Sequence, residues 1–311
     1  MRKAMEVRSI SEAEFEGFVR GFEDPLLRDL AQYERWKSGL RLLRVFWGEG
    51  ERLTLLGLKG GEKIQGVLRV LKVPFLERKR WGGEGKERGE VQDVFLQPLE
   101  VEGLKALLAG AEEILAREGP LHFGISEWKE PYWEALERLG FSPYARSVLI
   151  AWDTKGEIPK EGNPAVEIRL ASLEMKATLR RIQRSSWGFF IPPDFERQDV
   201  LVAFLDGQPV GSAYLNRLTH HIDFGVHVRR EFQRRRVGMA ILREALRLCR
   251  ERGARRMFVT RVLRAIAKIN ESDRVALRFY LDCGGQILRE YRGFRRKRRP
   301  RPLAIPPLSE F

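Results

Sequence analysis

The hydrophobic pattern changes period repeatedly along the chain, from strict alternation in short runs to helical spacing in longer ones, and so predicts strands and helices in turn. In the second half, 166–171 reads as a strand and 173–187 as an amphipathic helix, followed by the aromatic, proline-broken loop Trp187–Phe195. Strands follow at 199–205 and 209–218 around Asp206-Gly207-Gln208, a turn of hairpin composition, and again at 221–228. Between 237 and 252 the apolar residues Val237, Ile241, Ala245 and Leu248 recur at helical spacing, with Gly253 placed to cap the C-terminus. A strand at 256–262, a helix at 272–283 and a strand at 286–295 complete this half.

The first half repeats the order more loosely. Strands at 53–58 and 64–73 flank the turn Lys59–Lys63, then come a strand at 90–96, a helix at 101–118, a strand at 121–125, a helix at 131–139 and a strand at 144–152. Two divergent copies of one α/β unit, each with a mixed (α+β) sheet, account for this repetition better than one large sheet does. Asp153–Pro164 has the Gly, Pro and charge content of a linker. The expected division is a first domain at 1–152, the linker at 153–164, a second domain at 165–295 and a basic, proline-rich tail at 296–311.

Composition narrows the partners. A chain of 311 residues with 43% hydrophobic content can bury two cores of ordinary size. The 32% charged fraction fits the heavily charged surfaces that thermophiles favour. No run of apolar residues is long enough to span a membrane, and the charged first residues lack the apolar stretch of a signal peptide. Cys249 and Cys283 are too few for a disulfide framework or a cysteine zinc site, which makes a reducing cytoplasm the natural setting. The net charge of +14 raises nucleic acid as a partner. The excess, however, is concentrated in Arg229–Arg236, Arg243–Arg256 and Arg292–Arg301. The last cluster suits nonspecific polyanion binding, but a solvated strand end and arm is the preferred reading.

The first cluster has chemistry of its own. A strand ending at Val228 runs into a basic turn, Gln233-Arg234-Arg235-Arg236, and then into a helix opened by Val237-Gly238-Met239. Such a helix start presents free backbone N–H groups and the positive end of the helix dipole, so it binds phosphate, and the arginines add formal charge. A diphosphate-bearing ligand is the economical explanation.

This stretch resembles the signature of the GNAT superfamily of acyl-CoA-dependent N-acyltransferases, Gln/Arg-x-x-Gly-x-Gly/Ala. Gln233, Val237, Gly238, Ala240 and Leu242 hold family positions, Val228 and Phe232 precede them, and Arg236 stands in place of the first motif glycine. If that backbone needs a positive φ, Arg236 carries strain; with helical torsions it would cost little. A later segment, Asp273-x-x-Ala276-x-x-x-Tyr280 through Gly284, resembles the family's Asn-x-x-Ala-x-x-x-Tyr-x-x-x-Gly-Phe, with Asp273 for Asn and Gly285 for Phe. The resemblance spans about 166–294 and implies acetyl-CoA as co-substrate, with no metal.

It also implies roles. Val226, His227 and Val228 would line the pantetheine path and offer a backbone N–H to the thioester carbonyl. Gln233 to Met239 would cradle the pyrophosphate, Asp273 would hold the pantetheine arm, and Tyr280 would protonate the departing thiolate. The base is left open among Asp223, His220, His221 and His227, with Asp223 as the candidate. Trp187, Phe189 and Phe190 occupy the family's acceptor loop, where an apolar acceptor amine and core packing are alternatives. The His220-His221 pair has no third ligand at a sensible spacing, so a metal is not expected.

The first half lacks the equivalents. Its turn, Gln97–Gly103, carries Pro98, Glu100 and Glu102, which remove a donor and oppose a pyrophosphate, and Leu136 stands where Tyr280 stands in the second copy. It reads as a degenerate GNAT-like domain. The expected activity is direct acetyl transfer to a primary amine of a small molecule or peptide, by a monomer or homodimer. A non-catalytic acyl-CoA module and a nucleic-acid-associated protein are the alternatives.

Overall fold

The computed structural model describes residues 5–21, 52–73, 88–118, 122–127, 130–156, 161–188, 190–263 and 271–297. Phe189 and the end of the basic tail, 298–311, therefore lie outside the described residues. The elements are β1 (Met5–Ser9), α1 (Glu12–Arg20), β2 (Arg52–Gly60), β3 (Lys63–Val73), β4 (Arg88–Leu96), α2 (Val101–Glu118), β5 (His122–Glu127), α3 (Glu130–Arg138) and β6 (Ser142–Asp153). They continue with β7 (Val166–Leu170), α4 (Lys176–Trp187), β8 (Gln198–Leu205), β9 (Gln208–Asn216), β10 (His221–Val228), α5 (Val237–Glu251), β11 (Arg256–Leu263), α6 (Glu271–Asp282) and β12 (Gln286–Lys297). This is the mixed α/β architecture that the sequence predicts.

The chain forms two compact units. Among the described residues, one comprises those up to Pro143 together with Gly293–Lys297, and the other Tyr144–Arg292. In the first, strands run in the order β1-β2-β3-β4-β5, with the end of β12 beside β5. Its core joins Leu56, Leu58 and Leu68 of the sheet to Leu104, Leu107 and Leu108 of α2, and takes in Phe294 of β12. Arg296 Nη1 donates to the Leu139 carbonyl at 2.7 Å, so the start of the basic tail is strand rather than arm.

In the second unit the order is β12-β6-β11-β10-β9-β8-β7. β6 pairs antiparallel with β11 along its length, from Asp153↔Arg256 to Arg146↔Leu263. Val148, Ile150 and Trp152 of β6 belong to the core that α5 completes, and Trp152 Nε1 donates to the Cys283 carbonyl at 2.9 Å. The apolar stripe of α5 is Val237, Ile241, Leu242, Ala245, Leu246 and Cys249; Leu248 is only partly buried. Gly253 (φ 70°) ends the helix as the sequence places it, with Ala254 N–H closing on the Cys249 carbonyl at 3.0 Å. The segment read as a linker is tied down at its end. Asn163 Nδ2 donates to the Arg235 carbonyl at 3.1 Å, and a Cβ on Gly162 would meet Ala240 Cα at 2.9 Å.

Candidate functional site

Strands β10 and β11 part company early. They pair in parallel only at His221↔Phe258 and Ile222↔Val259. Just beyond, Phe224 (φ 64°) and Gly225 (φ 83°) are left-handed, and the register of β10 against β9 slips between Asp223 and His227. A bulge of this kind turns the strand and re-aims the residues after it. The result is a slot between β10 and β11, with the backbone of Val226 and Val228 on one lip.

Tyr280 of α6 enters this slot. It is 3% exposed, and its Oη accepts from Val226 N–H at 3.0 Å. A Cβ on Gly225 would meet that oxygen at 2.8 Å, so glycine is needed there for space as well as for conformation. Burial pushes the phenol pKa up, while the Val226 N–H bond and the Arg261 cation pull it down. Beyond the bulge, Arg229 N–H donates to the Val210 carbonyl at 2.8 Å. Antiparallel alternation then turns the Val228 N–H away from β9 and into the slot.

The slot ends at the first turn of α5. The first helical hydrogen bond is Ala240 N–H to the Arg236 carbonyl at 3.2 Å, so Val237, Gly238 and Met239 offer N–H groups with no acceptor inside the helix. Arg236 caps the helix in the left-handed conformation (φ 56°, ψ 18°), and Arg234 is left-handed too (φ 62°). This settles the alternative left open above: Arg236 is strained. Alternation of this kind points backbone N–H groups inward, as anion nests do. The side chains of Gln233, Arg234, Arg235 and Arg236 are exposed, whereas Val237 is core and contributes backbone alone. Gly238 lies against Phe279, whose ring a Cβ would meet at 3.0 Å.

Two expected residues are placed differently from their expected roles. Asp273 is buried and paired with Arg261, whose Nη2 donates to its Oδ1 at 2.8 Å, so its carboxylate is engaged by a strand residue. Asp223 is also buried. Gln198 Nε2 donates to its Oδ2 at 2.7 Å, and His221 Nδ1 lies 3.1 Å from its Oδ1. His221 Nε2 lies in turn 3.2 Å from Thr260 Oγ1, the half-buried end of the chain.

On the face of the sheet that α4 covers, the His227 ring lies tilted against Trp187, with ring centroids 4.4 Å apart. Its Nδ1 lies 3.3 Å from Ser186 Oγ, and its Nε2 is buried with no hydrogen bond of good geometry. Burial pushes its pKa down to about 4, with the Phe224 carbonyl opposing this and the Arg261 charge adding to it. Phe190 packs beside Leu179, Ile182 and Tyr214, under the Arg180 guanidinium at 5.3 Å.

Sequence reasoning missed Gln198, Thr260 and Arg261. For Arg261 a signal existed: an aspartate in place of the family's asparagine calls for a cation, and Arg261 interrupts an apolar strand. The first unit differs at the matching place. β4 and β5 pair over five residues, from Arg88↔His122 to Gln92↔Ser126, and β4 slips register against β3 between Gln92 and Val94. Leu96 N–H donates to Tyr132 Oη at 2.8 Å, and that hydroxyl donates back to the Leu96 carbonyl at 3.1 Å. Among the described residues no group of His, Cys, Asp and Glu is placed to hold a metal, and no helix is long and apolar enough to cross a membrane.

Comparison with known proteins agrees with this geometry. No curated protein matches the chain. A GCN5-related N-acetyltransferase from Sphaerobacter thermophilus has a similar structure, with a TM-score of 0.63 at 18% identity over 95% of this chain and 96% of that one. So does a tandem GNAT protein from the clavulanic acid biosynthesis pathway, with a TM-score of 0.62 at 10% identity over 96% and 99%. A fungal glucosamine N-acetyltransferase region gives 0.66 at 13% identity, covering 95% of this chain and 38% of a multi-domain one. The fold is thus that of the GNAT acyltransferases, and residues 172–284 match the model of the acetyltransferase (GNAT) family.

Proposed function

We propose that the second unit is an acyl-CoA-dependent N-acyltransferase that moves an acetyl group directly to a primary amine of a small molecule or peptide. The observation that carries the reading is the coincidence of three features. These are a strand slot opened at Gly225, a buried tyrosine hydroxyl inside it, and an arginine-flanked helix start at its end.

Acetyl-CoA supplies the acetyl group as a thioester. The N–H groups of Val237, Gly238 and Met239, with Arg234, Arg235 and Arg236, hold the pyrophosphate. Val226, His227 and Val228 line the pantetheine path. Val226 N–H is already held by Tyr280, so polarising the carbonyl falls to Val228 N–H, which faces the same slot. The amine nitrogen bonds to the carbonyl carbon, the C–S bond breaks with its electron pair going to sulfur, and Tyr280 gives its proton to that sulfur. The amine proton leaves through Thr260 and His221, with Asp223 stabilising the imidazolium. His227, with its pKa near 4, is too weak a base at neutral pH for that task. Trp187 and Phe190, with Phe189 beside them in sequence, form the acceptor's apolar contact.

The first unit, on this reading, is a degenerate copy. Tyr132 holds both backbone polar groups of Leu96, and α2 opens with Glu102, which repels phosphate. Calorimetric titration of the full chain with acetyl-CoA tests the assignment. One equivalent should bind; no binding by the wild type, or two equivalents, contradicts it.

A further inference from the structure

The Arg261–Asp273 pair has a position that an ordinary structural ion pair would not need. Ile222↔Val259 is the last backbone pairing between β10 and β11, so Arg261 lies on the unpaired lip of the slot. Met257, Val259 and Leu263 of β11 belong to the core beneath α5 and α6. Alternation along the strand therefore turns Arg261 to that same face, the one holding the phosphate cradle and Tyr280. Its guanidinium is tied by Nη2 to Asp273 in the first turn of α6. Its Nε–H is buried and has no hydrogen-bond partner among the described residues. Asp273 and Tyr280 are two helical turns apart on one side of α6, and the Arg261 charge acts on both Tyr280 and His227.

A buried donor left unmade costs stability, and such a cost persists where a ligand satisfies it. We infer that Arg261 stabilises the leaving group: its Nε–H faces the sulfur of bound coenzyme A and favours the thiolate, with Asp273 fixing the guanidinium in place. The inference rests on the acyl-CoA reading and adds a residue to it. Tyr280 delivers the proton; Arg261 makes the sulfur leave before that proton is fully transferred.

The readout is the ionisation of the bound thiol, which needs no acceptor and no turnover. Coenzyme A bound to the full chain is titrated by its thiolate absorbance, as wild type, Asp273→Asn and the double variant Arg261→Gln/Asp273→Asn. The double variant leaves no buried charge unpaired and so guards the fold. The ionisable groups around Arg261 and Tyr280 are Asp273 and Cys283 from α6 and its end and His227 from β10. His227 stays neutral above its low pKa of about 4, and burial holds Tyr280 above its ordinary range. Wild type should hold the thiol at least about one unit below the ordinary thiol value of about 8.5. Asp273→Asn should lower it further, since it strips the counter-charge, and the double variant should return it to that value or above. A thiol pKa that is the same in all three proteins overturns the inference while leaving the acyl-CoA site standing. Failure of coenzyme A to bind wild type overturns the acyl-CoA reading, and the inference with it.

Discussion

Arg236 and His227 show what the site costs the fold, residue by residue. Left-handed backbone costs a side-chain-bearing residue about 1–2 kcal/mol, and glycine gives back about 0.5–1 kcal/mol of that through unfolded-chain entropy. Arg236→Gly should therefore raise stability by about 0.5–1 kcal/mol, read as a higher denaturant midpoint with an unchanged slope. A lower midpoint would mean that the arginine side chain stabilises the turn by more than its strain costs. His227 acts through pH. Its pKa falls from 6.5 unfolded to about 4 folded, so the unfolded chain binds the extra proton between those values. Stability is unaffected above pH 6.5 and declines as pH falls towards 4, by about 3 kcal/mol at most. His227→Phe should flatten that acid slope in urea melts at successive pH values; an unaltered slope would mean the imidazole charges freely in the folded state. The αL strain at Arg236 was legible in outline, because a motif glycine was missing. The depression at His227 was not, since burial by Trp187 and α4 is a tertiary fact.

At the scale of elements, the bulge in β10 decides whether a slot exists. Gly225→Ala places a methyl group 2.8 Å from Tyr280 Oη at a φ of 83°, so it should displace the tyrosine. We expect kcat to fall roughly 100-fold or more with most of the structure retained by circular dichroism, as for loss of a general acid. Retention of full activity would show that Tyr280 need not sit at Val226. Strand β6 makes a second element-scale prediction. A chain cut to 165–295 loses Val148, Ile150 and Trp152 from its core and exposes β11 as an edge. It should be insoluble or unfolded, whereas soluble, cooperative unfolding of that fragment would show β6 to be dispensable. The period of the hydrophobic pattern revealed β6 and β11 as strands, because 144–152 and 256–262 are short apolar runs. It could not reveal that they pair with each other, since pairing depends on partners more than a hundred residues apart. The early parting of β10 from β11 was equally invisible as a pattern; Phe224-Gly225 gave only a hint of a break.

For the molecule as a whole, the repeat of one fold grammar in two units was readable in the sequence, and so was the opposite charge of their turns. Gln233–Gly238 carries arginines and Gln97–Gly103 carries glutamates, and opposite charge at equivalent turns needs no structure to be seen. Structure added Tyr132. Tyr280 was expected from the motif, but Tyr132, with its hydroxyl bonded to both polar groups of Leu96, stands one turn before Leu136, the position that matches Tyr280. The tie between Asp223, His221 and Thr260 likewise crosses from β10 to β11 and leaves no trace in spacing. Acyl transfer by the second unit is the central claim. Single-turnover release of thiol from acetyl-CoA in the presence of a panel of primary amines tests it most directly, in the full chain and in Tyr280→Phe. The account predicts amine-dependent release matched by amide formation in the wild type, slowed roughly 100-fold in a Tyr280→Phe chain that still binds acetyl-CoA. Release no faster than the spontaneous reaction with every amine, or equal rates in the two proteins, would contradict it.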